Sequence, residues 1–123
     1  MSSRLANDYW IDLRVKVPVR VARAHFSTAV ENAYEWFSWH MVEYDEDGSP
    51  ISAILFYQDG NNRRQKRIFT DLDFCKGLQT YVKLHFGKPL PCVQYLGDDE
   101  WDIDADGADM IVQYAVFGEL VFS

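Results

Sequence analysis

The segment from residue 102 to residue 109 matches the opening of a calcium-binding loop. Aspartates occupy positions 1, 3 and 5 and glycine occupies position 6, as in an EF-hand, where carboxylate oxygens bind Ca²⁺ and the glycine allows a sharp turn. Position 12, a bidentate glutamate in an EF-hand, is Gln113 here, and its neutral amide offers one oxygen. The segment therefore predicts a degenerate, EF-hand-like calcium site. Its candidate ligands are Asp102, Asp104, Asp106 and Asp109.

A second interpretation of the same segment needs no metal. An EF-hand has a helix on both sides of its loop, whereas the residues before Asp102 predict a strand and a turn. Acidic side chains also collect at the start of a helix, where they accept hydrogen bonds from free backbone amides and interact with the helix dipole. On this interpretation Asp106 is the N-cap of a helix over residues 108–117.

Carboxylates are dense enough in two places to form a binding surface for a basic partner. Spaced carboxylates can imitate the phosphates of a nucleic acid backbone, although an ordinary solubilising surface has the same composition. The denser row consists of Asp98, Asp99, Glu100, Asp102 and Asp104. A second row consists of Glu43, Asp45, Glu46 and Asp47.

A basic run over residues 63–67 resembles a phosphate-contacting patch. No second basic element of the helix-in-groove type accompanies it, and a solvated hairpin is the alternative interpretation. Strand alternation predicts Arg64 and Lys66 on one face of this hairpin and Arg67 on the other. The cationic residues of the run are Arg63, Arg64, Lys66 and Arg67.

Four aromatic residues are candidates for an interface anchor or for the lip of a small-ligand pocket. Most aromatic side chains simply belong to the core. Trp36 and Trp39 lie partly off the predicted inward face, and an exposed tryptophan beside Glu35 would be an anchor. The four candidates are Trp36, Trp39, Tyr44 and Tyr57.

Composition bounds the class of protein. The chain has 123 residues, of which 48% are hydrophobic, so we expect one globular domain over residues 1–123 with a substantial core. Its net charge of −7 argues against binding to nucleic acid or to anionic lipid. Cys75 and Cys92 form no C-x-x-C motif and no apolar leader is present, which predicts reduced thiols and a cytoplasmic protein.

Charge is distributed in four alternating blocks. Residues 1–23 and 63–88 are mainly basic, whereas residues 24–62 and 89–123 contain acidic residues and no Lys or Arg. One interpretation is that opposite blocks lie against each other in the fold, where surface pairs contribute little stability. The other is that separate acidic and basic faces steer partners.

The order of the elements predicts an α+β fold. Strands are predicted over residues 9–17, 40–44, 51–57, 65–69 and 92–96 from their alternation and their β-rich composition. A capping box of Thr28 and Glu31 predicts a helix over residues 28–38, with an earlier start at Pro18 as the alternative. Thr70 caps a second helix that Gly87 ends. We expect one antiparallel sheet, made of the N-terminal strand, a three-stranded meander and the short strand, with two or three helices on one face.

The sequence leaves three function classes open, because it contains no recognisable catalytic motif. The first is a non-enzymatic binding protein that occludes a macromolecular partner, such as an accessory or inhibitor protein of a mobile element. The second is a small-ligand-binding or enzymatic domain with an aromatic-lined pocket. The third is the calcium-binding module. For the first class we expect a protein partner, no membrane association and no cofactor, and we also predict a homodimer.

Overall fold

The computed structural model describes residues 17–85, 88, 90–98 and 100–122. The predicted strand over residues 9–17 lies, except for Val17, outside this part of the chain. The described residues form three helices and two antiparallel sheets, which confirms the α+β class. In chain order the elements are α1 (Val19–Glu31), β1 (Phe37–Tyr44), β2 (Pro50–Gln58), β3 (Arg64–Thr70), α2 (Asp71–His85), β4 (Val93–Gly97), β5 (Glu100–Ile103) and α3 (Ala105–Phe117).

The first helix differs from the prediction based on the capping box. It begins after Pro18, which is its N-cap and whose carbonyl accepts hydrogen bonds from the first-turn amides. It ends at Asn32, whose side-chain amide donates to the carbonyl of Thr28 at 2.7 Å. The helix predicted over residues 28–38 is therefore wrong, and the earlier start is confirmed. Helical spacing of apolar residues continued past Asn32, but the aromatic residues that follow extend into β1 instead.

The meander forms as predicted, with the strand order β1-β2-β3 and antiparallel pairing throughout. Each of its two turns is fixed by an aspartate. Asp45 accepts hydrogen bonds from the amides of Asp47 and Ser49, and Asp59 accepts them from the amides of Asn61 and Arg63. Aspartate favours such turns because its short carboxylate can reach amides two to four residues on.

The predicted short strand, β4, does not join the meander. It pairs with β5 in a separate two-stranded hairpin, so the single sheet expected from the sequence is two sheets. The acidic composition of residues 100–103 concealed β5. Trp101 and Ile103 are buried while Glu100 and Asp102 are exposed, which is the alternation of a half-buried strand.

The main core lies between the helices and one face of the meander. Phe26 of α1 is fully buried, and its ring lies 5.3 Å from that of Trp39, 5.5 Å from that of Phe69 and 5.8 Å from that of Phe74. These contacts join α1 to β1, β3 and α2. Alternate residues of the three strands point away from the helices and form what we call the open face. It includes His40, Ile54, Phe56, Arg64, Lys66 and Ile68.

Helices α2 and α3 lie close together at Gly77. A Cβ atom at this position would clash with the carbonyl oxygen of Ile111 and would lie 3.0 Å from the Cβ of Ala115. The glycine therefore sets the distance between the two helices.

Replacing Gly77 with alanine tests this contact. In an open helix the change stabilises, since alanine is the better helix former by about 1 kcal/mol. Here we expect destabilisation of about 2 kcal/mol or more, because the added methyl group must displace the backbone of α3. Urea unfolding measures the difference. Gln79→Ala, at an exposed site on the same helix, is the control and should change the free energy of unfolding by less than about 0.5 kcal/mol. A stabilised G77A variant would contradict the described packing.

Candidate functional site

The segment that resembles a calcium loop is a strand followed by a helix N-terminus. Asp102 lies on β5, where it is exposed and paired with Gln94. Asp104 is the N-cap of α3, and its carboxylate accepts a hydrogen bond from the amide of Gly107 at 2.8 Å. The capping interpretation is therefore confirmed, although the cap is Asp104 and the predicted cap, Asp106, lies inside the first turn.

Two further residues of the motif, Asp109 and Gln113, belong to a polar network inside the protein. The carboxylate of Asp109 accepts hydrogen bonds from the indole nitrogen of Trp36 at 2.7 Å and from the Gln113 amide at 3.1 Å. Gln113 is 2% exposed. Its oxygen accepts from the amides of Val121 and Phe122, both at 2.8 Å, and its nitrogen also donates to the Phe122 carbonyl at 3.1 Å. Gln113 thus holds the C-terminal tail against α3.

The four carboxylates of the motif consequently do not converge. They lie on a strand, at a helix cap and at two positions of a helix, and Asp109 already has two donors. Among the described residues no group of three or more His, Cys, Asp or Glu side chains is placed to hold a metal ion. The positions of these acidic residues are explained by two structural roles. Asp104 caps α3, and Asp109 supports Gln113, which holds the C-terminal tail.

The tryptophans proposed as exposed anchors are part of the core. Trp36 is 5% exposed, and Trp39 is half-buried and donates its indole N–H to the carbonyl of Ala29 at 3.0 Å. Trp36 is therefore too buried to be an exposed anchor, and the Trp39 indole N–H is bonded to α1. Tyr44 is 55% exposed, while Tyr57 is half-buried with its ring 5.8 Å from that of Phe117.

The pocket interpretation of the aromatic residues corresponds to a shallow depression at one end of the meander. It has a volume of about 430 Å³ and includes Trp36 and Tyr57 in its lining. Phe56 and the polar side chains of His40 and Arg64 also line it, so it extends onto the open face.

The basic run does not form one patch. Arg63 pairs with Asp59 at 3.2 Å, and Arg67 pairs with Asp73 at 3.5 Å on the other side of β3. Register places Arg64 opposite Gln58 and Lys66 opposite Phe56, so these two cations share the open face, as strand alternation predicted.

The acidic residues of the denser row mostly project from the β4–β5 hairpin. Glu100 and Asp102 are exposed on its outer side, and Asp98 is exposed at the turn, where its φ is 53°. Leu96, at the register shift of β4 beside this turn, is 60% exposed. We call these four residues the acidic hairpin. Asp104 is occupied in capping α3, and Asp99 lies outside the described residues.

The carboxylates of the acidic hairpin form no ion pair with a described residue. Arg23 joins three charge blocks, because its guanidinium lies 2.6 Å from Asp71 and 3.7 Å from Asp45. The remaining pairs are those of Arg63 and Arg67. Opposite blocks therefore do lie against each other near Arg23, but no ion pair between described residues involves an acid of the last block, residues 89–123.

Burial shifts the pKa values of His25, Cys75 and Cys92. Burial lowers the pKa of His25, an effect that a hydrogen bond to the Trp101 backbone and the charge of Asp102 partly offset. His25 and Trp101 line a second depression of about 270 Å³ between α1 and the hairpin, together with Arg20 and Glu100. Burial also raises the pKa of the Cys75 and Cys92 thiols, which disfavours the reactive thiolate.

Comparison with protein-family models, with curated proteins and with solved structures gives no significant match. No helix within the described ranges has both the length and the hydrophobicity needed to cross a membrane.

Gln113→Glu distinguishes the tail contact from a calcium loop, because it installs the missing bidentate ligand. We expect destabilisation of about 3 kcal/mol, since a buried carboxylate would face Asp109 and the Phe122 carbonyl. Urea unfolding with and without millimolar CaCl₂ measures it, and calcium should make no difference to wild type or variant. Recovery of the variant's stability in calcium would instead indicate an EF-hand-like site.

Stability should depend on His25 between pH 7.5 and pH 5.5. Its pKa is lowered in the folded state from an ordinary value of 6.5, so below about pH 7 the unfolded chain binds a proton that the folded chain does not. The free energy of unfolding should therefore fall as the pH falls through this window. His25→Gln removes this contribution, and denaturation at both pH values should show a smaller fall for the variant. An equal fall would contradict the burial of this imidazole.

Proposed function

We propose that this chain is a non-enzymatic binding protein that occupies a basic surface of a protein partner through its acidic hairpin. The observation that carries the proposal is the pairing of charges. Cations of both basic blocks form ion pairs with carboxylates, at Arg23, Arg63 and Arg67, whereas no ion pair between described residues involves Asp98, Glu100 or Asp102.

The hairpin is built to present these charges rigidly. Val93, Trp101 and Ile103 on its inner side are buried in the core, so the outer side is fixed in orientation. Glu100 and Asp102 are two residues apart on one strand, about 7 Å, and both point to solvent. A fixed row of charges retains its spacing without the entropic cost of ordering a loop on binding.

Leu96 adds an apolar side chain to this acidic surface. It is 60% exposed and lies two residues before Asp98 in the chain. Buried apolar contacts supply much of the affinity at an interface, whereas peripheral charges mainly raise the association rate and the specificity. An apolar side chain next to carboxylates therefore fits a protein surface with an apolar patch bordered by Lys and Arg.

A groove that binds nucleic acid is one basic surface of this kind. Carboxylates in a fixed row would compete there with phosphates, and occlusion of the groove would inhibit the partner without any catalysis. This is the mode of action that we infer for an accessory or inhibitor protein of a mobile element, acting in the cytoplasm.

The pocket alternative is supported by the depression of about 430 Å³, which is within the size range of ligand sites. It is less well supported than the acidic hairpin, because His40, Gln58 and Arg64 line it with exposed side chains on an open sheet face. Sites that bind small molecules instead enclose their ligands and converge a few polar groups on them.

Charge reversal tests the acidic hairpin. The variant D98K/E100K/D102K should lose a partner captured from a lysate of the producing cells, and its association rate should fall by about tenfold or more. Wild-type association should also slow steeply as salt increases, since the Debye length is about 8 Å at physiological ionic strength. Surface plasmon resonance with the captured protein measures both effects.

The matched control is E46K/D47K/E119K, which changes the net charge equally at exposed sites away from the hairpin. It should bind with nearly the wild-type association rate. Equal loss in both variants would mean that only net charge matters, and unchanged binding of the hairpin variant would exclude the hairpin as the interface.

A further inference from the structure

The open face carries an apolar centre that no helix of the described chain covers. Register places Ile54 between His40 and Ile68 in one cross-strand row, with Phe56 and Lys66 in the next. Ile68 is 70% exposed and Phe56 is 41% exposed. Adjacent large apolar side chains on a flat sheet face are typical of an interaction surface.

Charge on this face is ordered along the strands. Glu43 pairs with Ser52 at one end, whereas Lys66 pairs with Phe56 nearer the other. Ser52 and Phe56 are four residues apart on β2, which separates the two charged rows by about 13 Å. Arg64, opposite Gln58, adds a second cation at the same end as Lys66. The face is therefore acidic at one end, apolar in the middle and basic at the other end.

A surface with this order is complementary to a reversed copy of itself. We propose that two copies of the chain pack with their open faces together, related by a two-fold axis that lies in the interface and crosses β2 obliquely near Ile54. Glu43 on β1 and Lys66 on β3 lie on opposite sides of this axis, so Glu43 of each copy lies over Lys66 of the other, while Ile54 and Ile68 meet near the axis. Each charge pair then forms twice.

An axis parallel to the strands is less favourable. It would exchange β1 and β3 and place Lys66 over Ser38 and Glu43 over Thr70, so neither charge would face an opposite charge. The reversed arrangement also brings the Glu43 end of one copy over the depression that Arg64 and His40 line on the other.

The small area of the open face predicts a weak dimer. Three strands about 4.8 Å apart and about 23 Å long expose only a few hundred Å² per copy, which is below the size of a standard stable interface. We therefore expect a dissociation constant on the order of tens to hundreds of micromolar, so the measurement must extend to high concentration. This dimer is independent of the acidic hairpin, which belongs to the other sheet, and either proposal can fail without the other.

Exchanging the charges of Glu43 and Lys66 tests this arrangement most directly. Sedimentation equilibrium from 10 µM to 1 mM should show E43K and K66E each raising the dissociation constant by about tenfold, because each leaves like charges opposed at two places. The double variant E43K/K66E should recover wild-type association to within about threefold, since every pair is restored with its signs exchanged. Recovery identifies the reversed arrangement, because no other orientation of the two faces brings these residues together.

Ile68→Lys tests the apolar centre and should abolish the dimer at 1 mM. Its matched control is Leu84→Lys on α2, at a side chain that is 61% exposed, which should leave the dissociation constant unchanged. A wild-type chain that stays monomeric at 1 mM would overturn the proposal. Failure of the double variant to recover would overturn it as well. A monomer whose melting temperature falls sharply in I68K would show that another segment of the chain, such as residues 1–16, covers the face instead.

Discussion

Packing around the ring of Phe26 determines how the rest of the molecule is arranged. This ring, on α1, contacts aromatic rings of β1, β3 and α2, and it thereby fixes two helices to one face of the meander. On the same side, Phe117 of α3 packs against Tyr57. Because the three helices of the described residues lie on one side, no described helix covers the opposite face of the sheet or the outer side of the hairpin. The two proposed interaction surfaces follow from that one-sided arrangement.

The polar network around Gln113 explains why a metal-like motif is present without a metal-like geometry. Asp109 and Gln113 connect α3 to Trp36 before the meander and to the tail at Phe122, so both are needed inside the protein. Asp104 caps the helix that carries them. Acidic residues stabilise the beginning of a helix that starts directly after a strand, and here their spacing coincides with that of a calcium loop.

Local patterns predicted most of the fold and part of the site. The strand expected over residues 51–57 is β2, and the exposed carboxylates Glu100 and Asp102 were among the predicted partner-binding residues. Prediction failed where contacts between residues far apart in the sequence determine the local structure. The indole of Trp36 is buried because its partner, Asp109, lies 73 residues further along the chain, and no local pattern reports such a contact. Likewise, β5 is a strand because Trp101 packs against the core beside α1.

Footprinting of carboxylates tests most directly whether the acidic hairpin is the working surface. The chain is labelled with a carbodiimide and an amine, once as purified protein and once in a lysate of the cells that produce it, and modification is quantified by mass spectrometry. We predict that Asp98, Glu100 and Asp102 are labelled several-fold less in the lysate, whereas Glu46 and Asp47, which are also exposed, are labelled to the same extent in both. Equal labelling of the hairpin in the two samples would contradict the proposed function.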